Sequence, residues 1–147
     1  MIHYLKYNGV TESAPILADL LIDQLIDEDI PDDIIITVVP LHSKKYLERG
    51  FNQSEMLAKI VAKKLGLSYQ CVLSRIRETE SQVKLKGDKR RENLVDAFAS
   101  VPRISIENKT IMIIDDVSTT GTTLEECARV LRASGARRVY GLVVARG

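Results

Sequence analysis

A chain of 147 residues is long enough for one domain with a sizeable core, and 45% apolar with 28% charged residues is the balance of an ordinary globular protein. A formal net charge of +1 supplies no overall field for nucleic acid or a membrane surface. No apolar run nears the roughly 18 residues of a membrane-spanning helix. Met1-Ile2-His3-Tyr4 does not open a basic-then-apolar leader, so a cytoplasmic protein is expected. Cys71 and Cys127 stand far apart in apolar surroundings and are expected as small core residues, not a disulfide or a metal pair. His3 and His42 are too few and too separated for a metal cluster.

Along the chain, strands and helices alternate without internal repeats. Thr11-Glu12-Ser13 precedes Pro15, tolerated in a first helical turn, and Ile16, Leu17, Leu20, Leu21 and Leu25 recur at helical spacing. Pro31-Asp32-Asp33 is a break, and Ile34 to Val39 is a β-branched run that reads as a strand covered on both faces. Pro40 ends it. The polar segment Leu41 to Asn52 then leads to a second helix carrying Met56, Leu57, Ile60, Val61 and Leu65 on one face, closed by Gly66. Tyr69 to Leu73 reads as a further short strand. Ser74 to Asn93 is strongly charged, lacks an apolar period and is too long for an ordinary connection, which marks a functional loop. Thr110 to Ile114 is a buried strand, followed by a polar turn from Asp115 to Thr122. A helix with Leu124, Cys127, Ala128 and Leu131 inward ends at Gly135, and Val139 to Val144 is a last strand. Strand, helix, strand at this spacing is a βαβ unit, so the expected class is α/β: a single domain with a parallel sheet flanked by helices.

The chemistry is concentrated in IMIIDDVSTTGTTL, residues 111–124. Ligands of such sheets bind at the carboxyl ends of the strands, where Asp115 and Asp116 stand. Ser118, Thr119, Thr120, Gly121, Thr122 and Thr123 then open a helix, whose first N–H groups and dipole favour a phosphate. Gly121 allows close approach of the backbone, and the hydroxyls add donors without bulk. Like charges keep the acids off that phosphate, so they suit neutral sugar hydroxyls. Acids for hydroxyls beside a small-residue loop for phosphate describe a ribose 5-phosphate site. A capped helix start alone explains one hydroxyl, but not paired acids followed by six small residues. A Walker-B strand fails for want of G-x-x-x-x-G-K-[ST], and a dinucleotide site for want of G-x-G-x-x-G. A phosphorelay receiver fails because too little chain follows the acid pair.

This string resembles the signature of the type I phosphoribosyltransferases, which bind 5-phosphoribosyl-1-pyrophosphate (PRPP). Pro40-Leu41-His42, Glu48-Arg49-Gly50-Phe51-Asn52-Gln53-Ser54, Leu5-Lys6-Tyr7-x-Gly9, Gln82-x-x-Leu85, Arg91-x-Asn93 and Ala145-Arg146 are similar to the ComF branch, the competence-associated proteins that resemble amidophosphoribosyltransferases. The similarity covers nearly the whole chain, residues 1–147 as one domain. The cysteine-rich, zinc-ribbon-like segment that opens many members of the branch has no counterpart in these residues, which fits either a short natural form or a chain from which that segment was removed. The resemblance implies that Asp115 and Asp116 hold the ribose hydroxyls during catalysis, and that Ser118 to Thr123 hold the 5-phosphate.

It further implies that Leu41, His42, Ser43 and Lys44 form a loop around the pyrophosphate, where backbone amides and a lysine suit two phosphoryl groups. His42 is not read as a base. The segment from Arg75 to Asn93 falls where the family carries a flexible hood. There Lys84, Lys86, Arg90 and Arg91 would counter the charge growing on the leaving group. No aromatic residue lies between Arg75 and Arg91 for base stacking, so direct nucleic-acid binding is not expected. Asn52 reads as a helix cap. The expected activity is transfer of a 5-phosphoribosyl group from PRPP, with Mg²⁺ brought by the substrate, to an unidentified nitrogen acceptor, releasing pyrophosphate. A non-catalytic PRPP-binding regulator or DNA-uptake accessory is the alternative. A homodimer is compatible with either.

Overall fold

The structure, a computed structural model, describes residues 13–41, 43–49, 52–77, 86, 88–118 and 121–146. Its centre is a four-stranded sheet of β1 (Ile35–Val38), β2 (Ser68–Tyr69), β5 (Thr110–Ser118) and β6 (Arg138–Arg146), in the order β2-β1-β5-β6. Every pair in it is parallel, with Val38 level with Ile114 and Ile114 level with Leu142. Such a sheet must be covered on both faces, which explains the unbroken apolar runs of β1 and β5. Alternate residues divide between two cores. Ile34, Ile36, Val38, Met112 and Ile114 pack under α1 (Ala14–Asp23) and α3 (Gln53–Leu65), with Leu17, Leu21, Leu57 and Val61 opposite. Ile35, Ile111 and Ile113 pack under α5 (Thr122–Ala133), with Cys127, Val130 and Leu131 opposite. The α/β architecture of a parallel sheet between helices is therefore the one expected from the sequence.

The second core continues into parts the periodicity did not disclose. An antiparallel ribbon of β3 (Leu73–Arg75) and β4 (Phe98–Ser100) joins it through Leu73 and Phe98, along with Leu94 of a short helix, α4 (Asp88–Leu94). A hydrogen bond from Val72 N–H to Thr37 Oγ1 (3.3 Å) ties the ribbon to β1. The expected strand from Tyr69 to Leu73 is thus two strands in two sheets. Asp88 to Asn93, expected within a loop, belongs to the helix α4. The segment after Pro40 also contains a helix, α2 (Ser43–Arg49). Of the apolar stripe on α1, Leu17 and Leu21 are buried while Ile16 and Leu20 are exposed. Cys127 lies in the core as expected. Cys71 does not, because β2 ends at Tyr69 and leaves it exposed in the link to β3.

Two caps define α3. Asn52 accepts from Ser54 N–H (3.1 Å) at its start, and Gly66, at φ +66°, closes it in the left-handed conformation that glycine adopts without strain. Glu55 in the first turn and Lys63 and Lys64 in the last complement the helix dipole. Leu57, fully buried against the sheet, anchors the helix. Leu57→Ala is expected to lower stability by about 2–5 kcal/mol, measured as a shift of the urea midpoint, since it leaves a cavity under the site.

Candidate active site

Strand β5 runs past its apolar residues to Ser118 because β6 continues to pair with it, Asp115 with Val143 and Ser118 with Arg146. Asp115 and Asp116 therefore lie in the last turns of the strand's pleat, not in a turn after it. Asp116 is buried, only 3% exposed. The Asp116 N–H donates to Asp115 Oδ1 (2.9 Å).

The start of α3 is brought against this pair. Gln53 Nε2 donates to Asp116 Oδ2 (3.1 Å), and Ser54 Oγ donates to Asp115 Oδ1 (3.2 Å). Asn52, besides capping the helix, donates from Nδ2 to Val39 O (3.2 Å), so the helix start is fastened to the end of β1 as well. These partners were not identified from the sequence, although Arg49 to Ser54 stands out as a polar run. A signal was there. Gln53 and Ser54 lie one turn ahead of Leu57 and Ala58 on the buried face of α3, where the apolar period calls for apolar side chains.

The loop beside the acids ends at Gly121, whose φ of +76° is a conformation other residues rarely take. A Cβ there would meet nothing within 4 Å, so the space next to this backbone is open. Thr122 and Thr123 form the first turn of α5, and Glu125 N–H closes the turn on Gly121 O (2.8 Å). The backbone of Ser118 closes β5, while Thr119 and Thr120 lie outside the described residues. Acid pair and helix start thus occupy one end of the sheet, as the ribose 5-phosphate reading requires.

The other expected residues are distributed less simply. Leu41 is half-buried directly after β1, and Ser43 and Lys44 are exposed in the first turn of α2 instead of an open loop. His42 is outside the described residues, as is Lys84. Lys86 is exposed, and Arg90 and Arg91 fall on α4. Arg77 is committed elsewhere. Its Nη2 donates to Asn93 O and Val95 O (2.6 Å each), capping the carboxyl end of α4 with a cation. Arg75, by contrast, stacks over the Phe98 ring at 5.2 Å and is within the electrostatic reach of Asp115. Burial lowers its pKa from the ordinary arginine value. Among the described residues no group of three or more His, Cys, Asp or Glu side chains comes together to hold a metal ion. None of the described helices is long and apolar enough to cross a membrane.

Burial first, then the charge of Asp116 and the hydrogen bond with it, push the Asp115 carboxyl up from 3.8 to about 7. The Asp116 N–H and the Ser54 hydroxyl act in the opposite direction. The folded chain therefore binds this proton more tightly than the unfolded one. The resulting stability is full below about pH 4 and is lost as pH rises to about 7. Asp115→Asn removes that loss. In the ligand-free protein the variant is expected to be more stable than wild type at pH 8, by on the order of 2–4 kcal/mol, with the gap narrowing as pH falls to 5. Urea unfolding at the two pH values checks this; a gap independent of pH contradicts it.

The profile of the family described as "Phosphoribosyl transferase domain" matches residues 52–147, which include the start of α3, the acid pair and α5. The DNA utilization protein YhgH of Salmonella typhi is 34% identical over 144 residues, 95% of this chain and 63% of that protein. Competence protein F of Haemophilus influenzae is 32% identical over 111 residues, 73% of this chain and 48% of that protein. The chain thus spans less than two thirds of these curated relatives. Among solved structures, the glutamine PRPP amidotransferase of B. subtilis, complexed with ADP and GMP, superposes with a TM-score of 0.60. The match covers 92% of this chain and 26% of that one, and at 18% identity it speaks for the fold. By its profile match and its fold, this chain belongs to the phosphoribosyl transferase domain family, with relatives named for competence and DNA utilization.

Proposed function

We propose that this domain binds PRPP and transfers its 5-phosphoribosyl group to a nitrogen acceptor. The observation that carries the reading is the acid pair, with Asp116 buried, held by Gln53 and Ser54 and set at the same end of the sheet as the start of α5. The ionised carboxylates would accept hydrogen bonds from the two ribose hydroxyls, and Ser118 to Thr123 would receive the 5-phosphate at the amino end of the α5 dipole. Leu41, His42, Ser43 and Lys44, beyond the end of β1, are proposed to face the pyrophosphate. Lys84, Lys86, Arg90 and Arg91 supply a cationic segment for the leaving group. Mg²⁺ belongs to the substrate in this account, carried on pyrophosphate oxygens.

In the reaction the bond from C1 to pyrophosphate breaks with its electron pair leaving on pyrophosphate. The nitrogen lone pair forms the new bond to C1, and the nitrogen gives up a proton. Positive charge gathers on C1 and the ring oxygen between these events, so carboxylates on the hydroxyls beside C1 favour that state electrostatically. Holding ribose at both ends restricts C1 to the line between the acceptor and the leaving group.

The relatives' names favour one further reading: a PRPP-binding accessory to DNA uptake without turnover. Both readings use the same site, and they part on pyrophosphate release with candidate amines. Calorimetric titration of PRPP with Mg²⁺ tests what they share. Wild type is expected to bind, and Asp115→Asn/Asp116→Asn to bind on the order of a hundredfold more weakly, since two charge-assisted hydrogen bonds are weakened. Absence of binding to folded wild type, or equal binding by the variant, overturns the proposal.

A further inference from the structure

The site holds an expense in stability that core packing does not explain. Gln53 is 3% exposed, and only its amide nitrogen can donate to a carboxylate, so its contact with Asp116 Oδ2 fixes which way the amide points. Among the described residues, that orientation leaves Gln53 Oε1 buried without a hydrogen-bond partner. An apolar side chain of similar size would fill the same slot one turn ahead of Leu57 without stranding an acceptor. Ser54, also 3% exposed, likewise stands one turn ahead of the buried Ala58. Two buried polar side chains on the core-facing stripe of one helix, each donating to a different member of the acid pair, form a built arrangement.

Resting on the PRPP reading above, we infer that Gln53 and Ser54 are positioning residues for the sugar: each holds one carboxylate by one oxygen, so that the pair meets a vicinal diol ionised and pointing outward. Asn52 makes this rigid. It caps the helix that carries both donors and ties its start to Val39 O at the end of β1, the strand that pairs with β5. The two donors therefore cannot drift from the acids without breaking the cap.

Donors to a carboxylate favour its charged form, and the other groups facing the pair are on separate elements. Arg75 on β3 and the Cys127 thiol on α5, the latter pushed up by burial, are within the electrostatic reach of Asp115. Gln53 and Ser54 are the described side chains that donate to the pair, one to each carboxyl, and this arrangement is what favours a diol over a single hydroxyl.

The test uses Ser54→Ala and Gln53→Met, the first nearly isosteric and the second close in length, each checked by thermal unfolding. In the ligand-free chain, carboxyl ¹³C NMR should show the upper titration step of the pair about one pH unit higher in each variant than in wild type. With Mg²⁺ present, calorimetry of ribose 5-phosphate and 2-deoxyribose 5-phosphate should show ribose 5-phosphate bind about tenfold more weakly in each variant, and the ribose preference fall in the variant whose partner acid meets the 2-hydroxyl. The ratio cancels titration of the phosphate itself. Unchanged titration and unchanged preference in folded variants would sink the inference and leave the PRPP reading standing. If wild type binds neither sugar phosphate nor PRPP, that reading and the inference resting on it fall together.

Discussion

The parallel register of β1 on β5 sets what the rest of the site can be. With Val38 level with Ile114, the two strands deliver Val39 and Asp115 side by side at one edge of the sheet. Asn52 then fastens α3 to Val39 O, and the helix can only begin over the acid pair. One residue of slip would turn every side chain of β1 to the opposite core and move this tether away from the acids. The division of Ile34, Ile36 and Val38 from Ile35 and Val39 between two cores is what holds the register in place.

From that constraint follows an electrostatic arrangement that favours function over stability. Two adjacent carboxyls, one of them 3% exposed, are costly to charge, and the start of α3 brings a neutral donor to each. Arg75 is within the electrostatic reach of Asp115 and stacks on the Phe98 ring, on a ribbon that is itself fastened to β1. By capping α4 Arg77 spends its charge on the carbonyls of Asn93 and Val95, and thereby steadies the short helix behind the ribbon.

Much of this was legible in the sequence, and the parts that were not share a physical cause. Helices α1, α3 and α5 and strands β1, β5 and β6 carry several turns of apolar period or an unbroken apolar run, so their existence and the α/β class could be read from the residues. The helices α2 and α4 span seven residues each, and β3 and β4 three each; such lengths show too little of any period. Their order comes from tertiary contacts, as Leu73, Leu94 and Phe98 meeting in one core illustrates. The acid pair was found by its residues, but its placement within the strand depends on β6 pairing as far as Arg146, which no local pattern announces. Gln53 and Ser54 were visible as polar residues out of place, and only the fold says what they touch.

The central claim is that the acid pair and the start of α5 form one site for a 5-phosphoribosyl group. Amide chemical shifts of the ¹⁵N-labelled chain, followed while PRPP and Mg²⁺ are added, test it directly. The account predicts saturable shifts concentrated at Asp115, Asp116, Gln53 and Ser54 and at Gly121 to Thr123, with the far ends of β5 and β6 unmoved. Shifts confined to other surfaces, or none at all at millimolar PRPP, would contradict it.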